Sequence, residues 1–300
     1  MKSLRLACLA ILFAAMFPGI ALAQRITAAE TIHRYQQHYA VPPPASTVDT
    51  IKAGDASTPV TGIAVTFLDT MDVLREANRR GLNLVITHEP TFYNHLDDTA
   101  FFADDPIYRE KLAFIQQHHM VVVRFHDQLH EISPDPVIVG LIQALGWQSY
   151  MDAADLLHLT IPRTTLLDLA RDPEKKLNVQ SMRVVGNPAL AITRVGLLPG
   201  AAGTQRQIAM LGSDKVEVLL VGEVPEWETV EYVRDASAQG RPKALIMLGH
   251  AASEEPGMKK IVDDLHALFP SVPVALVPAG QPTWNPEHPP APSASGKSAR

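Results

Sequence analysis

Short apolar runs alternate with stretches of helical spacing along most of this chain. The run at 60–68 reads as a strand, 70–80 as a helix closed by Gly81, and 84–87 as the next strand. Such a strand, short crossover and strand predicts parallel pairing. The alternation continues with a helix at 107–117, a strand at 120–125 and a helix at 137–145 stopped by Gly146. A middle stretch offers strands at 156–161, 182–185 and 194–198. Beyond it come a strand at 216–221, a helix at 226–238, a strand at 244–248, a helix at 255–268 and a last strand at 272–277. Near the start, Thr27-Ala28-Ala29-Glu30 has the form of a capping box with Ile26 ahead of it, so a helix should begin there. No repeat of solenoid period is visible, and the predicted class is α/β.

The polar residues are placed unevenly on this skeleton. Several apolar strands run out into a histidine or an acid: His88 and Glu89 after "LVIT", His126 and Asp127 after "VVVRF", Glu223 after "VLLVG", and His250 after "ALIMLG". Glu254 follows His250 by four residues, so the two share a face if a helix has begun by then. In an open α/β sheet the carboxyl ends of parallel strands line one edge, and ligands bind in the crevice outside it. These strand ends should therefore meet. Imidazole and carboxylate together suit Zn, Mn, Fe or Ni. One ion would use three or four of the groups, and the set offers more, which points to two ions sharing a carboxylate. Glu223 is a candidate general base or a holder of water, and His126 and Asp127 are placed behind the ligands or against a substrate. His95, His118, His119, His158 and His266 carry no assignment. The Gly200-Ala201-Ala202-Gly203 stretch lacks the lysine of a phosphate loop and reads as a tight turn opening a helix.

Composition narrows the class of protein. The 300 residues are 46% hydrophobic, 19% charged and only 6% aromatic, with a net charge of −6 and no basic run, which argues against nucleic-acid binding. The first segment carries Lys2 and Arg5, then an apolar stretch from Leu6 to Phe17, then Ala21-Leu22-Ala23. That is the pattern of a secretory signal over 1–23, with cleavage before Gln24. The apolar stretch is shorter than the ~20 residues of a membrane span, so the cleaved chain should carry no membrane segment. Cys8, the sole cysteine, lies in that segment, so the remaining chain has neither a disulfide nor a thiol nucleophile. A secreted or periplasmic, mildly acidic protein is expected. From 285 to 300 the composition turns to Pro, Ser, Ala and Gly, the signature of a disordered tail.

The motifs "VITHEP", "FHDQLH", "LLVGE" and "LGHAASE" fall in the order and approximate spacing of the Nif-three-like dinuclear metal centre proteins, also labelled GTP cyclohydrolase I type 2 homologues. The chain resembles that family over nearly all of its length after the signal. The resemblance implies two interlocked α/β lobes in residues 24–284, the middle one near 131–243, with two divalent ions in the cleft between them. It also implies a homo-oligomer, a trimer or hexamer forming a ring. Carried over by position, His88 and His250 would hold one ion, Glu89 and His130 the other, and Glu254 both. The chain departs from the family pattern at two of these positions. Glu89 stands where the family has a histidine, and His130 where it has an aspartate. The histidine usual after the third motif is replaced by the neighbourhood of Glu226 and Trp227. The expected function is a metal-dependent hydrolase of a small polar substrate, the alternative a non-catalytic metal-binding ring or scaffold. An exported protein rarely meets GTP, so GTP cyclohydrolase chemistry is not favoured.

Overall fold

The computed structural model describes residues 26–287; the signal and most of the tail expected from sequence lie outside the described residues. The chain opens with α1 (Ala28–His38), whose N-cap Thr27 accepts a hydrogen bond from the Glu30 amide as its capping pattern requires. There follow β1 (Ile51–Ala53), β2 (Ile63–Thr66), α2 (Met71–Arg79), β3 (Leu84–Thr87), α3 (Pro106–Gln117) and β4 (Val121–Arg124). Two short helices, α4 (Asp127–Glu131) and α5 (Pro136–Ala144), lead into β5 (His158–Thr165), α6 (Leu166–Lys176), β6 (Arg183–Val185) and β7 (Ala191–Leu198). The rest is α7 (Thr204–Gly212), β8 (Val218–Val221), α8 (Glu231–Ala238), β9 (Ala244–Met247), α9 (His250–Glu254), α10 (Met258–Leu268) and β10 (Val274–Leu276). Both α3 and α5 start Asp-Pro: the carboxylate caps the first amides and the proline, which lacks an N–H, sits where none is needed.

These elements build two five-stranded mixed sheets, in the orders β1-β4-β3-β2-β10 and β5-β7-β8-β9-β6. The inner strands pair in parallel. Strands β2, β3, β4, β8 and β9 are buried along their whole length, because helices cover both faces, and this is why they read as unbroken apolar runs. Separate apolar clusters lie on the two faces of each sheet. The lobe boundary expected near residue 243 falls one strand short. β9 pairs with both β8 and β6, so the second sheet is closed only after Met247. The lobes are joined closely. Helix α5 places Val137 in the core of the first and Leu141, Ile142 and Leu145 in that of the second. Gly140 lies against Gly257 so tightly that a Cβ there would come within 2.6 Å of the backbone.

Candidate metal centre

The carboxyl ends of β3 and β4 in the first sheet and of β8 and β9 in the second converge on one cluster. His88 and Glu89 follow β3 directly, and their amides bond to the Thr66 and Phe67 carbonyls, so the strand's ladder fixes both positions. After β4 the chain turns into α4, and the amides of its N-cap His126 and of its first two residues, Asp127 and Gln128, all donate to the Asp49 carboxylate at 2.7–3.0 Å. This anion at a helix start anchors the element that carries His126 and His130. On the second sheet, Gly249 has φ +88°, which turns the chain from β9 straight into α9. Helix α9 begins at His250, earlier than the helix expected from 255. Pro256 then interrupts it with a turn of 3₁₀ helix before α10. His250 and Glu254 thus do lie one helical turn apart.

The side chains form two overlapping groups whose donor atoms lie within 4.8 Å of one another: His88, His126 and His130, and His88, Glu89 and Glu254. Glu254 Oε2 lies 3.4 Å from His88 Nε2 and 3.1 Å from His250 Nε2, so this carboxylate links imidazoles from both lobes. Glu89 Oε1 lies 3.5 Å from His250 Nε2 and 3.7 Å from His126 Nε2. His126 stands closer to the centre than expected from sequence, its ring stacked at 4.7 Å on His88 and 4.8 Å from His130. His130 falls in the three-histidine group and Glu89 in the other.

Each imidazole is held from behind. His88 Nδ1 lies 3.2 Å from the Phe125 carbonyl and donates to it, which leaves the Nε2 lone pair facing the cluster. His126 Nδ1 meets Asp127 at 2.9 Å, His130 Nδ1 meets Asp135 at 3.0 Å, and His250 Nδ1 meets Glu223 at 3.0 Å. Carboxylates in this position fix the orientation and tautomer of a ligating histidine and make it more basic. Asp127 is itself fixed by Thr47 and the Val48 amide. Asp135 and Asp49 were missed in the sequence. Asp135 was legible only as a helix cap, and Asp49 has no motif around it.

The residue set fits a bound cation on two grounds. His88 Nε2 is buried and makes no hydrogen bond, an expense normally avoided unless the atom has another partner. Three carboxylates crowd one imidazole: burial lowers the His250 pKa, but Glu223, Glu254 and Glu89 raise it to about 12. The site therefore calls for positive charge. Burial and the neighbouring His88 push His126 down to about 4, which keeps it neutral and able to ligate. Burial resists ionisation of Glu254 and Glu89, but the surrounding histidines outweigh it and hold both carboxyls below the usual range. His130 is moved upward: burial lowers it, but Asp135 together with Glu254 and Glu89 more than offsets that effect.

Glu89 and His130 each face a partner of opposite charge type. Arg124, fully buried, sets its guanidinium 3.5 Å from Glu89. Asp135 stands behind His130. The signal for the first was present in the sequence as the one charge in "VVVRF".

The Duf34/NIF3 (NGG1p interacting factor 3) family model matches residues 48–281. Among solved structures, hypothetical protein SA1388 of Staphylococcus aureus is 19% identical, with TM-score 0.64 over 84% of this chain and 96% of that one. A Bacillus cereus protein related to NIF3 is 14% identical, with TM-score 0.62 over 84% and 96% of the two chains. Reduced HcgD from Methanocaldococcus jannaschii is 14% identical, with TM-score 0.58 over 84% and 97%. At these identities the likeness is one of fold. No curated protein matches the sequence significantly.

Proposed function

This chain belongs to the Duf34/NIF3 family, and from that premise we propose that it is an exported protein holding two divalent metal ions and hydrolysing a small polar substrate with them. The observation that carries the proposal is the buried, unpartnered His88 Nε2, 3.4 Å from a carboxylate that also contacts His250 across the lobe boundary. The residues that would hold the ions are His88, Glu89, His126, His130, His250 and Glu254; His88 belongs to both groups in the structure, and the family resemblance implies that Glu254 serves both ions. Bound divalent ions lower the pKa of water and polarise the bond to be cleaved. The chain's own contribution is orientation and charge. Asp127, Asp135 and Glu223 fix three imidazoles, and the packed strand ends keep the group rigid. Glu223, 3.0 Å from His250, is placed to hold water or to act as general base, and the hydrogen bond from His250 holds its carboxyl below the usual range. Export with cleavage before Gln24 and assembly into a ring of like subunits complete the reading. They rest on the signal pattern and the family resemblance.

Elemental analysis of the purified protein tests the centre. About two ions per chain are expected, with Glu254→Ala losing both and His250→Ala losing mainly one. Full metal content in either variant would mean that its ligand is misplaced. Intact mass and light scattering of the same sample report the cleavage site and the assembly.

A further inference from the structure

Beside the cluster lies an open cleft of about 530 Å³, within the range of small-molecule sites, lined by the turn 201–203 and the segment 223–227. It adjoins the cluster through two elements. Gly200, at one end of its turn, lies so close to Glu254 that a Cβ there would meet Oε1 at 2.0 Å, while Ala201 and Gly203 of the same turn line the cleft. Glu223 lines the cleft and also bonds His250 through Oε1. The floor is fixed. Buried Gln207 donates from Nε2 to the Glu223 carbonyl at 2.8 Å and accepts from Thr229 Oγ1 at 2.6 Å. One wall is Trp227, a large aromatic side chain that is 79% exposed.

We propose that this cleft binds a planar, uncharged nitrogen heterocycle of the cyclic amide or ureide class, stacked on Trp227 with a ring N–H donated to Glu223. Three observations select that class. An exposed indole offers a flat face for a planar ring. Glu223 engages His250 through Oε1 only, so its second carboxylate oxygen can accept a further donor. Among the described residues no Lys, Arg or His lines the cleft, and Glu226, the second acid there, is already paired with Arg183. A phosphate or carboxylate placed there would face Glu223 without a counter-charge. The proposal deepens the hydrolase reading and rests on it, since it supplies the substrate class for that centre.

Calorimetric titration of the full-length, metal-loaded protein with uracil, hydantoin and orotate, alongside elemental analysis of each sample, tests it. Uracil and hydantoin should bind, and orotate, which carries a carboxylate, should bind much more weakly. Trp227→Ala should weaken uracil binding by about tenfold or more, and Trp227→Phe should keep most of it. Metal content should be the same in all three proteins. Uracil binding that is absent, or indifferent to Trp227→Ala, overturns the proposal and leaves the metal centre standing. So does a Trp227→Ala variant that changes only the mass by light scattering, which would make the indole a contact between copies. Trp227-dependent binding in a protein without metal would keep the cleft and overturn the hydrolase reading.

Discussion

A guanidinium with no solvent exposure in the last position of a central strand needs compensation from every side, and Arg124 receives it. Its Nε donates to the His88 carbonyl at 3.1 Å, another nitrogen to the His95 carbonyl, and Glu89 and Asp97 stand 3.5 and 4.0 Å away. The same arrangement makes a glutamate tolerable at position 89. Histidine there would leave Arg124 facing a neutral or positive ring. At position 130 the argument is mirrored, because Asp135 favours an imidazole and would repel an aspartate. Glu89 and His130 therefore each keep a local charge balance. Arg124→Met should cost about 3–5 kcal/mol in urea unfolding, since it strands the largely buried Glu89 carboxylate and leaves the His88 and His95 carbonyls without their donor. Adding Glu89→Gln removes one stranded charge, so the double variant should lose less than the sum, with a coupling of roughly 0.5–3 kcal/mol. Strictly additive losses would show that Arg124 does not hold Glu89.

At the scale of elements, the cluster depends on how closely the turn after β7 approaches α9. Gly200 has φ +66° and Gly203 has φ +83°, so alanine is strained at either position. Only at Gly200 would the added methyl collide with Glu254; around Gly203 nothing lies within 4 Å. Gly200→Ala is therefore expected to lower metal content sharply while Gly203→Ala leaves it intact, with elemental analysis as the readout. Equal metal content in the two would mean that the close approach is unimportant. The comparison also shows what the sequence made legible. Parallel strands buried on both faces announce themselves as apolar runs, and the residues that follow the β3, β4, β8 and β9 runs come together in the structure. The Thr27 cap was equally plain. The three-residue edge strand β1 and the short helices α4 and α9 were not, because they are too brief to show a period and are set by tertiary anchors such as Asp49 and by Gly249. The direct place of His126 in the cluster was hidden for a related reason. It follows from the turn between β4 and α4, which periodicity does not encode.

For the whole molecule, stability should carry the mark of a buried charge group on the first lobe. Asp69 is fully buried, and neither carboxylate oxygen has a hydrogen-bond partner. Lys111 is its nearest cation, at 3.5 Å, but the ammonium is committed to the Thr91 carbonyl at 2.6 Å. Asp97, paired with Lys52 and facing Arg124, adds a like charge to the group. Burial is the largest influence on Asp69; Lys111 opposes it only in part, and the pKa rises from the ordinary 3.8 to about 6. A carboxyl whose pKa is higher in the folded chain keeps its proton there after the unfolded chain has released it. Between about pH 4 and pH 6 the folded state thus binds more protons, so stability falls as pH rises through that window and levels off above it. The fall amounts to roughly 2–3 kcal/mol at about 1.4 kcal/mol per pKa unit. Asp69→Asn cannot ionise and should lack this component. The other titrating groups are shared by the two proteins and cancel in their difference. Urea unfolding of both at matched metal loading should therefore give a stability difference that moves in favour of Asp69→Asn by that amount as pH rises from 4 to 6. A difference that stays flat across the window would mean that Asp69 is ionised in the folded chain throughout, with Lys111 as a full partner.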